Sequence, residues 1–100
     1  MHEIDIDQAA AVHGAGAAFV DVREPAEYRE GHVPGARNVP MSELTARLDE
    51  LDRSRPVHVV CASGNRSSAM TDVLTAAGFD AINVAGGTSA WIRSGRPIEK

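Results

Sequence analysis

The chain predicts an α/β fold in which helices cover both faces of a parallel sheet. Two observations carry this expectation. Five short apolar runs of strand length alternate with segments of helical spacing. Glycine and proline punctuate almost every junction between them.

Ile4-Asp5-Ile6 reads as a short first strand. Asp7 then caps a helix through Gln8–Val12, stopped by Gly14 and Gly16. Ala18–Val22 is a buried strand. Pro25 fits the first turn of a short helix that ends near Gly31. After the Pro34-Gly35 turn, Ala36–Val39 is the third strand candidate. Ser42 caps a helix whose Leu44, Leu48 and Leu51 fall at i, i+4, i+7. Pro56 introduces the strand Val57–Val60. Met70, Val73, Leu74 and Ala77 mark the next helix, with Gly78 just past its end. Ala81–Val84 is a fifth strand, Gly86-Gly87 a turn, and Thr88 the cap of a last helix carrying Trp91 and Ile92.

With 100 residues, 43% hydrophobic and 24% charged, the chain is expected to form one domain over residues 1–100 with a modest core. Its lone cysteine excludes an internal disulfide and any Cys-x-x-Cys pair. His2, His13, His32 and His58 lack metal-ligand spacing, so no metal is expected. No segment has the length of a membrane span, and Met1–Asp5 lacks the features of a signal peptide. A cytoplasmic location is the expectation, and a free reactive thiol suits a reducing compartment. A net charge of −4 argues against nucleic acid as partner. Neither a membrane nor a bound cofactor is expected.

Chemistry concentrates at Cys61, where the strand Val57–Val60 ends and a helix begins. Ligands in open α/β sheets bind beyond the carboxyl ends of the strands. Gly64 permits positive φ, and the first N–H groups of the following helix have no internal partner. A loop curled around Cys61 aims those N–H groups at the sulfur, a nest that stabilises a thiolate or a persulfide anion. Arg66 adds a permanent positive charge at the rim. The site comprises Cys61 as nucleophile and Ala62, Ser63, Gly64, Asn65, Arg66 and Ser67 as the loop.

Cys61-Ala62-Ser63-Gly64-Asn65-Arg66-Ser67 resembles the active-site loop of rhodanese-like sulfurtransferases. Asp21–Tyr28, followed by Gly31–Asn38, resembles the family's first signature, and Ala85–Trp91 its C-terminal one. The resemblance implies a five-stranded parallel sheet with helices on both sides. It also implies a cysteine that takes a sulfane sulfur from a donor such as thiosulfate or a persulfide. That sulfur passes from the resulting persulfide to an acceptor: cyanide, a thiol or a protein. The acceptor must come from outside, because the chain has no second thiol.

Loop length separates this chain from similar phosphatases, which carry Cys-x5-Arg. Cys61 to Arg66 is Cys-x4-Arg, a tighter cradle better matched to sulfur than to a phosphoryl group. A phosphatase or arsenate reductase is therefore the weaker alternative, beside a non-catalytic module that binds a partner protein. Members that favour thiosulfate often carry basic side chains where this chain has Ala62 and Ser63. That departure predicts a poor fit for thiosulfate, or thiosulfate as a stand-in for a persulfide.

Asp21 and Arg23 lie at a strand end near the site and read as an internal pair that supports neighbouring loops. His32 reads as a structural hydrogen-bonding residue, and Trp91 as core with its N–H satisfied. Glu27 and Tyr28 read as a helix face and a core anchor, and Gly86-Gly87 as a turn that can line the pocket. His58, within a buried strand, has no evident role.

Overall fold

The computed structural model describes residues 1–100. Five strands form one sheet: β1 (His2–Ile4), β2 (Ala18–Asp21), β3 (Arg37–Asn38), β4 (Val57–Val60) and β5 (Ala81–Val84). Four α-helices connect or flank them: α1 (Ile6–Gly14), α2 (Pro25–Glu30), α3 (Asn65–Ala76) and α4 (Gly87–Arg93). The sheet order is β1-β5-β4-β2-β3, and every pairing is parallel. No helix is long and apolar enough to cross a membrane.

All eight residues of β4 and β5 are buried, as a sheet covered on both sides requires. Successive side chains alternate between two cores. Val20, Val22, Val57, Val59 and Ala81 pack with Leu44, Leu74 and Phe79 on one face. Phe19, Val60 and Val84 pack with Ala9, Val33 and Trp91 on the other. Trp91 Nε1 donates to Pro97 O at 2.8 Å, so the indole is core with its N–H satisfied.

Five expectations need correction. The first helix starts earlier than the Asp7 cap implies, and the first strand is His2–Ile4 rather than Ile4–Ile6. Asp5 is the true cap: its Oδ1 accepts from Gln8 N at 2.8 Å, and Gln8 Oε1 accepts from Asp5 N at 2.9 Å. That reciprocal box outcompetes a cap at Asp7, which falls in the first turn. The third strand shortens to Arg37–Asn38 because Ala36 N is taken up by Val33 O in the preceding turn, and Pro40 has no N–H to extend the ladder beyond Val39.

The Ser42-capped helix is instead two 3-10 segments, Met41–Ala46 and Leu48–Glu50, with Pro40 ahead of them and no side-chain cap. Their greater rise per residue makes the segment longer than an α-helix of the same residues. Leu44 reaches the core there, while Leu48 and Leu51 only pack against its margin. Finally, Gly86 rather than Thr88 precedes the last helix, at φ 81°. Thr88 lies inside the first turn, and Ile92 is half exposed.

His58 acquires a role. Its ring stacks on Phe19 with centroids 5.0 Å apart, and its Nδ1 lies 3.0 Å from Ala18 O. Burial holds its pKa below the usual value, so it packs as a neutral ring.

Candidate active site

The connection from β2 leads outward to β3, while the connection from β4 leads the other way to β5. The strand order therefore reverses between β2 and β4, and a crevice opens at their carboxyl ends. Arg23 follows one strand and Cys61 the other.

Cys61 is 1% exposed. The loop after it curls back so that Gly64 N donates to Cys61 Sγ at 3.1 Å. Gly64 makes that turn possible at φ 109°, a left-handed conformation, and directly precedes α3. Burial alone pushes the thiol's pKa up. The Ser67 hydroxyl and the backbone N–H groups of Ser67, Gly64 and Ser63 outweigh it, and the net displacement is downward. Ser67 Oγ is a buried hydroxyl with no other hydrogen-bond partner, so nothing competes with the sulfur for its proton. The arrangement is an anion nest built around one sulfur atom.

The loop's outer side is held by α4. Thr88 N donates to Cys61 O at 2.8 Å, and Ser89 N donates to Ala62 O at 2.9 Å. In a trans peptide the N–H points opposite to the C=O. Drawing the Ala62 carbonyl toward α4 therefore turns the Ser63 N–H toward the sulfur. The approach is close enough to demand glycine: a Cβ on Gly87 would stand 2.4 Å from Cys61 O and 2.8 Å from Ala62 O. Gly86-Gly87 is thus both a turn and the wall behind the loop.

Arg66 is not a free cation at the rim. Its Nη1 donates to Glu27 Oε1 at 2.7 Å and its Nη2 to Glu27 Oε2 at 2.9 Å. Glu27 Oε1 also accepts from Glu24 N at 3.1 Å, at the start of α2. Paired with Arg66, Glu27 has a carboxyl pKa lowered to about 2. The sequence reading of Glu27 as a plain helix face missed this contact. The two residues stand 39 positions apart, and only the fold brings them together.

Asp21 and Arg23 do form a closed internal pair. Arg23 Nε donates to Asp21 Oδ1 and Oδ2 at 3.0 and 3.1 Å, and Nη2 donates to Oδ2 at 2.8 Å. Nη2 also donates to Gly31 O at 2.8 Å, tying the end of α2 to β2. His32 stacks on Tyr28 at 3.6 Å, and its Nδ1 lies 2.8 Å from Tyr28 O. It has a structural place rather than one beside Cys61. Two cavities, of about 350 and 230 Å³, open at the amino ends of the strands around His58 and Arg37, away from the cysteine loop.

A parallel α/β sheet with a nested cysteine at the end of its central strand, backed by a double-glycine turn, defines a class of single-cysteine loop proteins. The profile of the rhodanese-like domain family matches residues 5–94, and the chain belongs to that family. A protein of Allochromatium vinosum named sulfurtransferase is 39% identical over 81 residues, covering 80% of this chain and 76% of that protein. The uncharacterized protein YqhL of Bacillus subtilis (strain 168) is 40% identical over 76 residues. That match covers 75% of this chain and 60% of YqhL. The crystal structure of a rhodanese-related protein from Thermoplasma volcanium superimposes with a TM-score of 0.93 at 33% identity. It covers 99% of this chain and 98% of that one.

Proposed function

We propose that the chain is a sulfurtransferase that carries sulfane sulfur as a persulfide on Cys61. The observation that carries this reading is the convergence of N–H groups on one buried sulfur, with Gly64 N at 3.1 Å from Sγ. The Allochromatium relative named sulfurtransferase supports it.

In the first step the Cys61 thiolate attacks the sulfane sulfur of the donor. A new S–S bond forms on Cys61, and the donor's own bond to that sulfur breaks. The leaving group takes the electron pair, as sulfite from thiosulfate or as a thiolate from a persulfide. In the second step an external nucleophile, cyanide, a thiol or a protein thiolate, attacks the outer sulfur and releases Cys61 as thiolate. No net oxidant is needed. The nest holds a negative sulfur before and after each step, which lowers the barrier to both displacements. The lone thiol provides no intramolecular exit for the persulfide, so the acceptor is external. The chemistry calls for a reducing compartment such as the cytoplasm, and for no cofactor.

The test is intact-mass measurement after incubation with thiosulfate or an alkyl persulfide. Wild type should gain one sulfur, lost again on adding cyanide, and Cys61→Ser should gain none. A folded wild type that gains no sulfur from either donor overturns the reading.

A further inference from the structure

Arg66 and Glu27 face one another across the crevice between β2 and β4, one at the start of α3 and the other on α2. The bridge is bidentate, at 2.7 and 2.9 Å. It is more than a chance surface pair, because Glu27 is held by a third donor, the Glu24 N–H at 3.1 Å. The start of α2 thus fixes the carboxylate, and the carboxylate fixes the guanidinium.

Arg66 is the only cation in the loop, and it lies within electrostatic reach of Cys61. Ala62 and Ser63 bring no further charge. A dianionic head group at this mouth would find a guanidinium already neutralised by a carboxylate. It would also meet that carboxylate's own negative charge. An alkyl persulfide carries at most one negative charge, on the sulfur that the nest itself receives, and brings no second anionic group to the bridge.

We infer that Glu27 is a specificity-determining residue, selecting alkyl or protein persulfides over thiosulfate as the sulfur donor. This rests on the sulfurtransferase reading and names the donor class of that same site. Glu27 acts through Arg66 and touches no reacting atom, so it is a positioning residue. The bridge persists across the working pH range, since the Glu27 carboxyl titrates only near 2. The chemistry is the same for both donors: Cys61–S⁻ takes the outer sulfur, and either RS⁻ or SO₃²⁻ leaves with the electron pair.

The experiment compares the rates at which thiosulfate and a persulfide with an uncharged alkyl group persulfidate Cys61 in wild type, Glu27→Gln and the double variant Glu27→Gln/Arg66→Met. Glutamine keeps an acceptor for the Glu24 N–H while removing the charge, and thermal melts check folding. Freed of its counter-charge, Arg66 gains a charge-assisted bond to the sulfonate. The thiosulfate-to-persulfide rate ratio should therefore rise on the order of tenfold in Glu27→Gln. It should return toward the wild-type value in the double variant. A ratio within twofold of wild type in folded Glu27→Gln, or a gain that survives loss of Arg66, overturns the inference while leaving the sulfurtransferase reading intact. A wild type that accepts sulfur from neither donor overturns both.

Discussion

Two arginine–carboxylate pairs lie at the carboxyl end of the sheet, and they differ in how far water reaches them. Asp21 and Arg23 come from one segment, with side chains 0% and 8% exposed. Glu27 and Arg66 come from opposite sides of the crevice, with side chains 36% and 35% exposed. The chemical groups are the same and the hydrogen bonds are of similar length. Burial separates them. A charge removed from water must be matched completely, so the first pair can serve only as a clamp. A charge that keeps part of its hydration contributes little to folding and is free to act on what approaches.

The largest effect that would break this contrast is at the buried pair. Asp21→Asn leaves Arg23 charged and buried without its counter-ion. It should cost about 3–5 kcal/mol in denaturant unfolding. A loss below about 1 kcal/mol would mean that Arg23 escapes to water, and that the two pairs are alike after all.

Next in size is Gly87→Ala. The new Cβ meets the backbone carbonyl of Cys61 at 2.4 Å, at a residue whose φ is 55°. Overpacking against backbone should cost about 2 kcal/mol. The displaced loop should also lose its hold on the sulfur, so alkylation of Cys61 at neutral pH should slow. Unchanged alkylation would shift credit for the thiolate away from the backbone and toward the ions of the crevice.

Ser67→Ala sharpens the same division with a smaller change. The hydroxyl favours the thiolate, so its removal should move the midpoint of alkylation rate against pH upward. In wild type that midpoint should lie below the free thiol's value of about 8.5. A midpoint that stays put in the variant would assign the effect to N–H groups alone.

The smallest expected effect is on folding at the exposed pair. Glu27→Gln should lower stability by less than about 1 kcal/mol, since the pair is partly hydrated. The Glu27 carboxyl falls from its ordinary 4.5 to about 2 on folding, so whatever the pair contributes is complete above about pH 4.5. It fades as the pH falls to 2, and wild type and variant should converge there in thermal melts. A cost comparable with Asp21→Asn would erase the distinction between clamp and selector.

Much of this architecture was legible in the residues because it is local. The alternation of apolar runs with helical spacing places four of the five strands and misses the first by two residues, and Cys61 to Ser67 names its own loop through Gly64 and the helix that follows. Local competition misled twice. Asp5 and Asp7 both offer caps, and only the reciprocal contact with Gln8 decides between them. Leu44, Leu48 and Leu51 satisfy a helical period, yet without a side-chain cap that segment forms two 3-10 pieces. The Glu27–Arg66 bridge was illegible for a different reason. Its partners belong to separate segments, each with an adequate local explanation, and nothing in either segment points to the other. His58 likewise has no account until Phe19 is found stacked beside it.

The carbonyls of Cys61 and Ala62 are bound by N–H groups of Thr88 and Ser89, a separate stretch of the chain. The setting of the Cys61 thiol is therefore encoded in two places. A fragment ending after β5 would keep every residue of the cysteine loop and lose the two N–H groups that hold the Cys61 and Ala62 carbonyls. Transplanting Cys61–Ser67 alone into another scaffold would leave the same support behind. The smallest portable unit of this chemistry is the loop together with the double-glycine turn that backs it.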